Sequence, residues 1–382
     1  METKETQKWD REEVFYDGEE LFQRLCHQID HAQESIEIEV YIFQDEEKPR
    51  LILEKMIAAA HRGVKVRFMV DGIGSFGFSR THLQRLRQNN VKVRIYHPTP
   101  WDHNFSQYLW WVRWKTYLKF LGFINRRNHR KVYLFDQKRA IVSSSNLTQV
   151  ELIPSNDPTS WRETSVYVEG EEVSQLHQSF QRAWKYATGL AEVLDRRGLK
   201  RFTQNLIYFN FTRKQRRKSY IELIYRIYSA QKKIGITNAY FVPDGTLIRA
   251  LRYAAWTGVE VYVLVPHKSD LFFMRWVTSA FYFGLLLAGV KIFEYVPRVL
   301  HAKSVMIDHW GRVGTSNLNH RSLFQDLEVD VVITQVKNLE SLSRQFEQDL
   351  KEAKSITMED WLVRPRFEKW MGQLLLKFRY WL

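Results

Sequence analysis

The chain has 382 residues, 45% of them hydrophobic and 26% charged, with a formal net charge of +14 and a pI near 9.6. That length supplies a core for two ordinary domains, and the composition excludes a disordered chain. The positive excess favours polyanions, nucleic acid or an anionic membrane, without choosing between them. A single cysteine, Cys26, excludes an intramolecular disulfide and a multi-cysteine metal site.

Residues 1–6 are polar and lack the apolar core of a signal peptide. Residues 21–32 carry apolar side chains at spacings of three and four, the pattern of an amphipathic helix, with Cys26 near Leu25 and Ile29 on its inner face. Residues 64–70 are a β-branched run following Gly63, a glycine placed to end a helix. Residues 98–128 interleave aromatic side chains with Arg113, Lys115, Lys119, Arg126 and Arg127. Within them 108–120 has helical potential with a broad aromatic face and a basic edge, the profile of an interfacial helix on anionic lipid or of a cap over the core.

Further along, 213–218 is a basic run between the halves, and 220–230 repeats the amphipathic helix pattern. Residues 259–265 repeat the β-branched run, after Gly258. The most apolar stretch is 271–290, but Arg275 leaves only 276–290 uncharged, short of the roughly 18–20 residues that span a bilayer. It is expected to form a buried or interfacial helix, in a soluble or peripheral protein. In 367–382 the residues Phe367, Trp370, Met371, Leu374, Leu375, Phe378, Trp381 and Leu382 share one helical face beside Lys369, Lys377 and Arg379. Such a segment either docks on the body or meets a membrane, and its Trp-rich basic character favours the membrane.

The chain is an internal duplication. AQESIEIEVYIF at 32–43 answers AQKKIGITNAYF at 230–241, AAHRGVKVRFMV at 59–70 answers AAWTGVEVYVLV at 254–265, and NVKVRIY at 90–96 answers GVKIFEY at 289–295. HRKVYLFD at 129–136 then answers HAKSVMID at 301–308. Each unit reads helix, strand, helix, strand, strand and a final strand carrying the histidine, hence an α/β sandwich. The halves are set at 1–200 and 201–382, with a pseudo-twofold joining the histidine strands at their interface. Register offsets of 199 at Val91 and Val290 and 172 at His129 and His301 leave 27 extra residues in the first half, within 98–128.

Both copies carry H-x-K-x-x-x-x-D: His129, Lys131 and Asp136, then His301, Lys303 and Asp308. On a strand alternate side chains share a face, so two imidazoles and two ammoniums can meet one phosphate. The lysines would hold it, one imidazole attack it and the other protonate the leaving group. The polar runs that follow offer Ser144, Asn146, Thr315 and Asn317 as hydrogen-bond donors to phosphate oxygens. Glu163 and Glu328, 34 and 27 residues after the histidine of their own half, are candidates to hold the histidine Nδ1 atoms. Asp136 and Asp308 close their strands and are assigned a structural role, bonding backbone or partner residues, rather than direct chemistry.

These residues resemble the phospholipase D superfamily with its duplicated HKD motif, over roughly residues 15–350. NHRK at 128–131, LHAK at 300–303 and GTSNLNHRS at 314–322 are similar to bacterial cardiolipin synthases without N-terminal transmembrane helices. The resemblance implies two pseudo-symmetric phospholipase D-like halves and a metal-independent, cofactor-free, two-step phosphatidyl transfer. By similarity His129 is the nucleophile and His301 the acid/base, an order the pseudo-symmetry leaves open. The implied reaction condenses two phosphatidylglycerols into cardiolipin and glycerol. Transfer to water or another alcohol, and metal-independent nuclease activity, stand as alternatives. The implied partner is anionic phospholipid at a membrane surface, met through 108–120 and 367–382 on the cytoplasmic face of a bacterial inner membrane, with nucleic acid disfavoured. One departure stands out: Ser143 and Ser144 replace two glycines usual in these synthases, as substitute phosphate donors or as a narrowing of the pocket. The sequence sets neither oligomeric state nor acyl-chain preference.

Overall fold

The computed structural model describes residues 8–98, 126–187 and 206–380. The expected interfacial helix at 108–120, the boundary near residue 200 and the last two residues lie outside these.

Strands of the first half are β1 (Arg11–Phe15), β2 (Ser35–Val40), β3 (Lys65–Asp71), β4 (Lys92–Tyr96), β5 (Val132–Phe135), β6 (Arg139–Ser143) and β7 (Ser165–Glu169). They form one sheet in the order β1-β7-β6-β5-β2-β3-β4. The second half supplies β8 (Ile207–Phe209), β9 (Lys233–Thr237), β10 (Glu260–Pro266), β11 (Lys291–Tyr295), β12 (Ser304–Ile307), β13 (Trp310–Gly314), β14 (Val329–Ile333) and β15 (Ala353–Ile356). Its order, β8-β14-β13-β12-β9-β10-β11-β15, repeats the first with one strand added. The duplication read from sequence is therefore a duplication of topology.

Helical crossovers make β2-β3-β4 and β9-β10-β11 parallel, as the βαβ connection requires. The helix Gly18–His31 starts where the Asp17 carboxylate accepts the Glu20 N–H at 3.1 Å. It buries Leu21, Leu25 and Ile29, while Cys26, one step round, stays only half-buried. The helix Glu47–His61 ends at Gly63 and the helix Gly245–Trp256 at Gly258, with φ of 91° and 92°, a conformation only glycine takes without strain.

A helix not foreseen between β3 and β4, Arg80–Gln88, hides its amphipathicity because only Leu83 and Leu86 are apolar. The apolar stretch 271–290 forms two short helices, Met274–Ser279 and Tyr282–Leu286. Among the described residues no helix is long and apolar enough to cross a membrane. The basic run at 213–218 is no linker: it opens the helix Arg213–Tyr228, and buried Arg216 donates to the Asn210, Phe324 and Gln325 carbonyls.

The sheets face each other. Val132 and Leu134 of β5 and Val142 of β6 join Met306, Val313, Val329 and Val331 in a core shared by the halves. The alternate residues Tyr133, Phe135 and Ile141 pack outward under the first half's helices, as Val305 and Ile307 do in the second.

β5 and β12 lie centrally in their sheets, as expected, but they do not carry the histidines. His129 and Lys131 precede β5, and His301 and Lys303 precede β12. The reason is cross-half pairing. The His129 N–H donates to the Leu327 carbonyl at 3.0 Å, and the His301 N–H to the Arg162 carbonyl at 2.9 Å. Each histidine's backbone is thus committed to the opposite half. Asp136 and Asp308 take the expected structural role: each, at φ near 50°, accepts three backbone N–H groups, from Gln33, Glu34 and Ser35 and from Gln231, Lys232 and Lys233.

Candidate active site

In the polar run after β6 and its copy after β13, the Ser144 and Thr315 hydroxyls are spent inside the protein. Ser144 donates to the Glu163 carboxylate and accepts the Thr164 N–H, and Thr315 does the same for Glu328 and Val329. Their task is to fix a carboxylate, which corrects the assignment of both as phosphate donors. The Asn146 Oδ1 accepts the Ile42 N–H at 3.0 Å and the Asn317 Oδ1 the Tyr240 N–H at 3.3 Å, though both asparagines also border the pocket. Ser143 pairs with Ser165 at 2.7 Å, away from the pocket. At the matching place Gly314 faces Asp330, and a Cβ there would lie 2.3 Å from the Asp330 carboxylate.

Glu163 and Glu328 do hold the histidines, but crossed. The His129 Nδ1 donates to Glu328 at 3.0 Å, and the His301 Nδ1 to Glu163 at 2.6 Å. The pairing crosses the halves because the backbone bridges Asn128–Leu327 and Arg162–Leu300 set each histidine beside the glutamate of the other half. With Nδ1 committed, each ring presents Nε2 to the pocket.

Buried polar contacts hold these loops. Arg127 chelates Asp71 at 2.7–3.1 Å, and the Asn128 N–H meets the same carboxylate at 3.0 Å. Arg130 binds Glu39 at 2.8 Å. On the other side Arg162 forms a two-pronged pair with Asp349 at 2.8 and 3.1 Å. Removing one partner of such a buried pair strands the other charge. Asp349→Ala is accordingly expected to cost about 3–5 kcal/mol of stability, read by urea unfolding.

The Lys131 Nζ donates to the His129 carbonyl at 2.8 Å, and Lys303 likewise to that of His301. Burial pushes both lysines down, and the Lys303 ammonium pushes Lys131 further, to about 7. Burial, then the lysines, push both histidines down. Burial drives Glu163 up and Glu328 up to about 7. Every ion here is short of solvation, so an entering phosphate would restore charge to lysines and histidines alike.

The rings open onto a cavity of about 340 Å³, lined by Tyr41, Trp161, Tyr240, Asp270, Leu271, Phe273, Met274, Asn319, Arg321 and Asp326 besides the site residues. Tyr41 packs 5.0 Å from His129 and Trp161 5.3 Å from His301, ring to ring. Arg321 points its guanidinium here, 3.4 Å from Asp326, with Nε lacking a hydrogen-bond partner among the described residues.

Glu151, Glu163 and His301 bring possible ligand atoms within 4.8 Å of one another. Glu163 already holds the His301 Nδ1, and Lys303 and Lys131 act on these carboxylates. The chain itself supplies the positive charge a cation would bring, so these residues do not fit a metal centre.

Residues 25–184 and 223–350 match the family model described as cardiolipin synthase, PLD-like domain. The chain belongs to this phospholipase D-like cardiolipin synthase family of phosphatidyltransferases. It is 30% identical to a cardiolipin synthase of Clostridium perfringens (strain SM101 / Type A), covering 92% of this chain and 73% of that relative. It is 32% identical to a probable cardiolipin synthase of Bacillus subtilis (strain 168), with coverage of 90% and 67%. In fold it is similar to a crystal structure of phosphatidylserine synthase from Haemophilus influenzae Rd KW20, with a TM-score of 0.70, 12% identity and coverage of 98% and 95%. A polyphosphate kinase from Porphyromonas gingivalis shares the fold at a TM-score of 0.59 and 12% identity, over 89% of this chain and 50% of that one.

The pocket walls carry less sequence signal than the histidines do. Tyr41 and Tyr240 lie at adjacent, not matching, positions of the repeat 32–43 and 230–241, whereas Trp161 and Asp270 sit in no repeated motif. Arg321 lies inside the run GTSNLNHRS at 314–322, which is its signal in the sequence.

Proposed function

We propose that this phosphatidyltransferase condenses two phosphatidylglycerols into cardiolipin and glycerol. The observation that carries the proposal is a single pocket receiving two imidazole Nε2 edges, each backed by a carboxylate, with Lys131 and Lys303 beside them. The His129 Nε2 attacks the phosphorus of the first lipid. The bond to the glycerol oxygen breaks, and the His301 Nε2 gives that oxygen its proton. A second phosphatidylglycerol hydroxyl then loses its proton to His301 and attacks, and the phosphorus–nitrogen bond breaks. Incubating purified protein with phosphatidylglycerol vesicles should yield cardiolipin and glycerol in equal amounts. Phosphatidic acid as the only lipid product would assign a hydrolase instead.

Membrane contact has support beside the pocket mouth. The helix Arg366–Leu375 docks on Met274–Ser279, where Gly372 lies against the Trp276 carbonyl. It still leaves Phe367 and Trp370 about 60% exposed, and Phe272 is 73% exposed. Rings run in contact from pocket-lining Phe273 through Phe272, Trp276 and Phe367 to Trp370. Docking and lipid contact are therefore compatible, and acyl chains would lie along this stripe while the headgroup enters the pocket. Replacing Phe367 and Trp370 together by serine is expected to weaken sedimentation with anionic vesicles about tenfold or more. Turnover of detergent-dispersed substrate should change little.

A further inference from the structure

The two polar runs, 143–152 and 314–323, align position by position, and their comparison exposes an asymmetry beside the histidines. Ser144 answers Thr315, Asn146 answers Asn317, and Glu151 answers Ser322. In the second half the Ser322 hydroxyl donates to Glu328 at 2.6 Å, adding to the donors Thr315 and His129. In the first half a carboxyl group occupies that place. Glu151 is 1% exposed and reaches within 4.8 Å of both Glu163 and His301.

Glu151 is no stray surface acid. The Asn146 backbone and side-chain amides and the Thr148 hydroxyl all donate to it. Two carboxylates this close, this buried, cannot both ionise cheaply. A single proton between them makes Glu151 the donor to Glu163 that Ser322 is to Glu328, with one difference: this donor can titrate.

We propose that Glu151 is a positioning residue for His301, sharing one proton with Glu163 and, on losing it, strengthening the hold of His301 on the proton destined for the leaving alcohol. The inference rests on the acid/base role given to His301 above. Burial and Glu163 raise the Glu151 carboxyl above the usual carboxylate range. The groups acting on Glu151, or acted on by it, are Glu163, His301, Lys131 and Lys303, with the Tyr133 and Tyr240 phenols alongside.

The sign follows from counting charge. Below the ionisation of Glu151 the two glutamates carry one negative charge, as they would with glutamine at 151. Above it they carry two, and His301 keeps its proton to higher pH. The test compares wild type, Glu151→Gln and Glu151→Ser, where glutamine keeps an N–H for Glu163 and serine copies the second half. Histidine-selective NMR titration of the full chain saturated with inorganic phosphate, whose charge holds the His301 proton into the range where Glu151 ionises, with the His301 signal assigned by its loss in His301→Asn, is expected to show its midpoint lowered by about one pH unit or more in both variants. The alkaline limb of kcat should move down by a similar interval, with KM changing less than about twofold. A purely structural role predicts a lower melting temperature with an unmoved His301 midpoint, and that result would overturn the proposal. The NMR arm uses no substrate, so it judges Glu151 even where phosphatidylglycerol gives no cardiolipin, a failure that would count against the proposed reaction instead.

Discussion

His301→Ala is expected to accumulate a phosphoenzyme from phosphatidylglycerol, and His129→Ala to form none. Each substitution should lower turnover by about 10⁴-fold or more, because nucleophile and acid/base act as a unit whose members cannot substitute for one another. The intermediate separates them. Without His301 the first bond still forms, slowly, since Lys131 and Lys303 remain to neutralise the phosphate. Its resolution then lacks a base to deprotonate the acceptor. Without His129 there is no nitrogen at the place of attack. Intact-protein mass spectrometry after an alkaline quench reads the difference. A phosphoenzyme seen only in His129→Ala would exchange the two roles.

The crossed dyads give the second large effect. Glu328→Gln should suppress phosphoenzyme formation as His129→Ala does, although Glu328 lies 199 residues from His129 and in the other half. Glu163→Gln should instead impair the acid/base step and let phosphoenzyme persist. In each case a carboxylate that stabilises the charged imidazole gives way to a neutral amide, and a loss of about 10²–10⁴-fold in kcat is expected. KM should move little, because neither glutamate borders the pocket. Own-half pairing predicts the opposite assignment of the two phenotypes, so the same mass measurement decides it. The structural controls are Ser144→Ala and Thr315→Ala, which loosen each glutamate without removing its charge. Both should fall between wild type and the glutamine variants.

Much of this site was legible in the sequence. Repetition of whole segments located both histidines, both lysines and the central place of the strands that follow them, because a duplicated topology leaves a duplicated apolar pattern. Asp136 and Asp308 were legible for a local reason: an acid at the end of a strand, before a turn, meets free N–H groups. What the sequence concealed is long-range. No spacing along the chain, the intervals of 34 and 27 residues included, says which half's histidine a glutamate serves. Ser144 and Thr315 read as phosphate ligands because a buried hydroxyl and a substrate-facing one have the same sequence signature. Glu151 drew no notice because a glutamate one turn after an asparagine looks like a solvated helix start. Only burial and the matching Ser322 show what it replaces.

The paired bridges at Asn128–Leu327 and Arg162–Leu300 also bear on how the molecule becomes active. Each half builds its sheet from its own strands, yet His129 meets Glu328 across 199 residues and His301 meets Glu163 across 138, both between the halves. Such contacts form only when the two sheets dock, so they can follow the pairing of strands within each half. The earliest compact species would then hold most of its strands and none of its chemistry, with Val132, Val313 and Val331 still open to water. During synthesis the first half leaves the ribosome with Glu163 in place and no imidazole to hold. Competence for phosphatidyl transfer is therefore a property of the last docking event, not of either folded half.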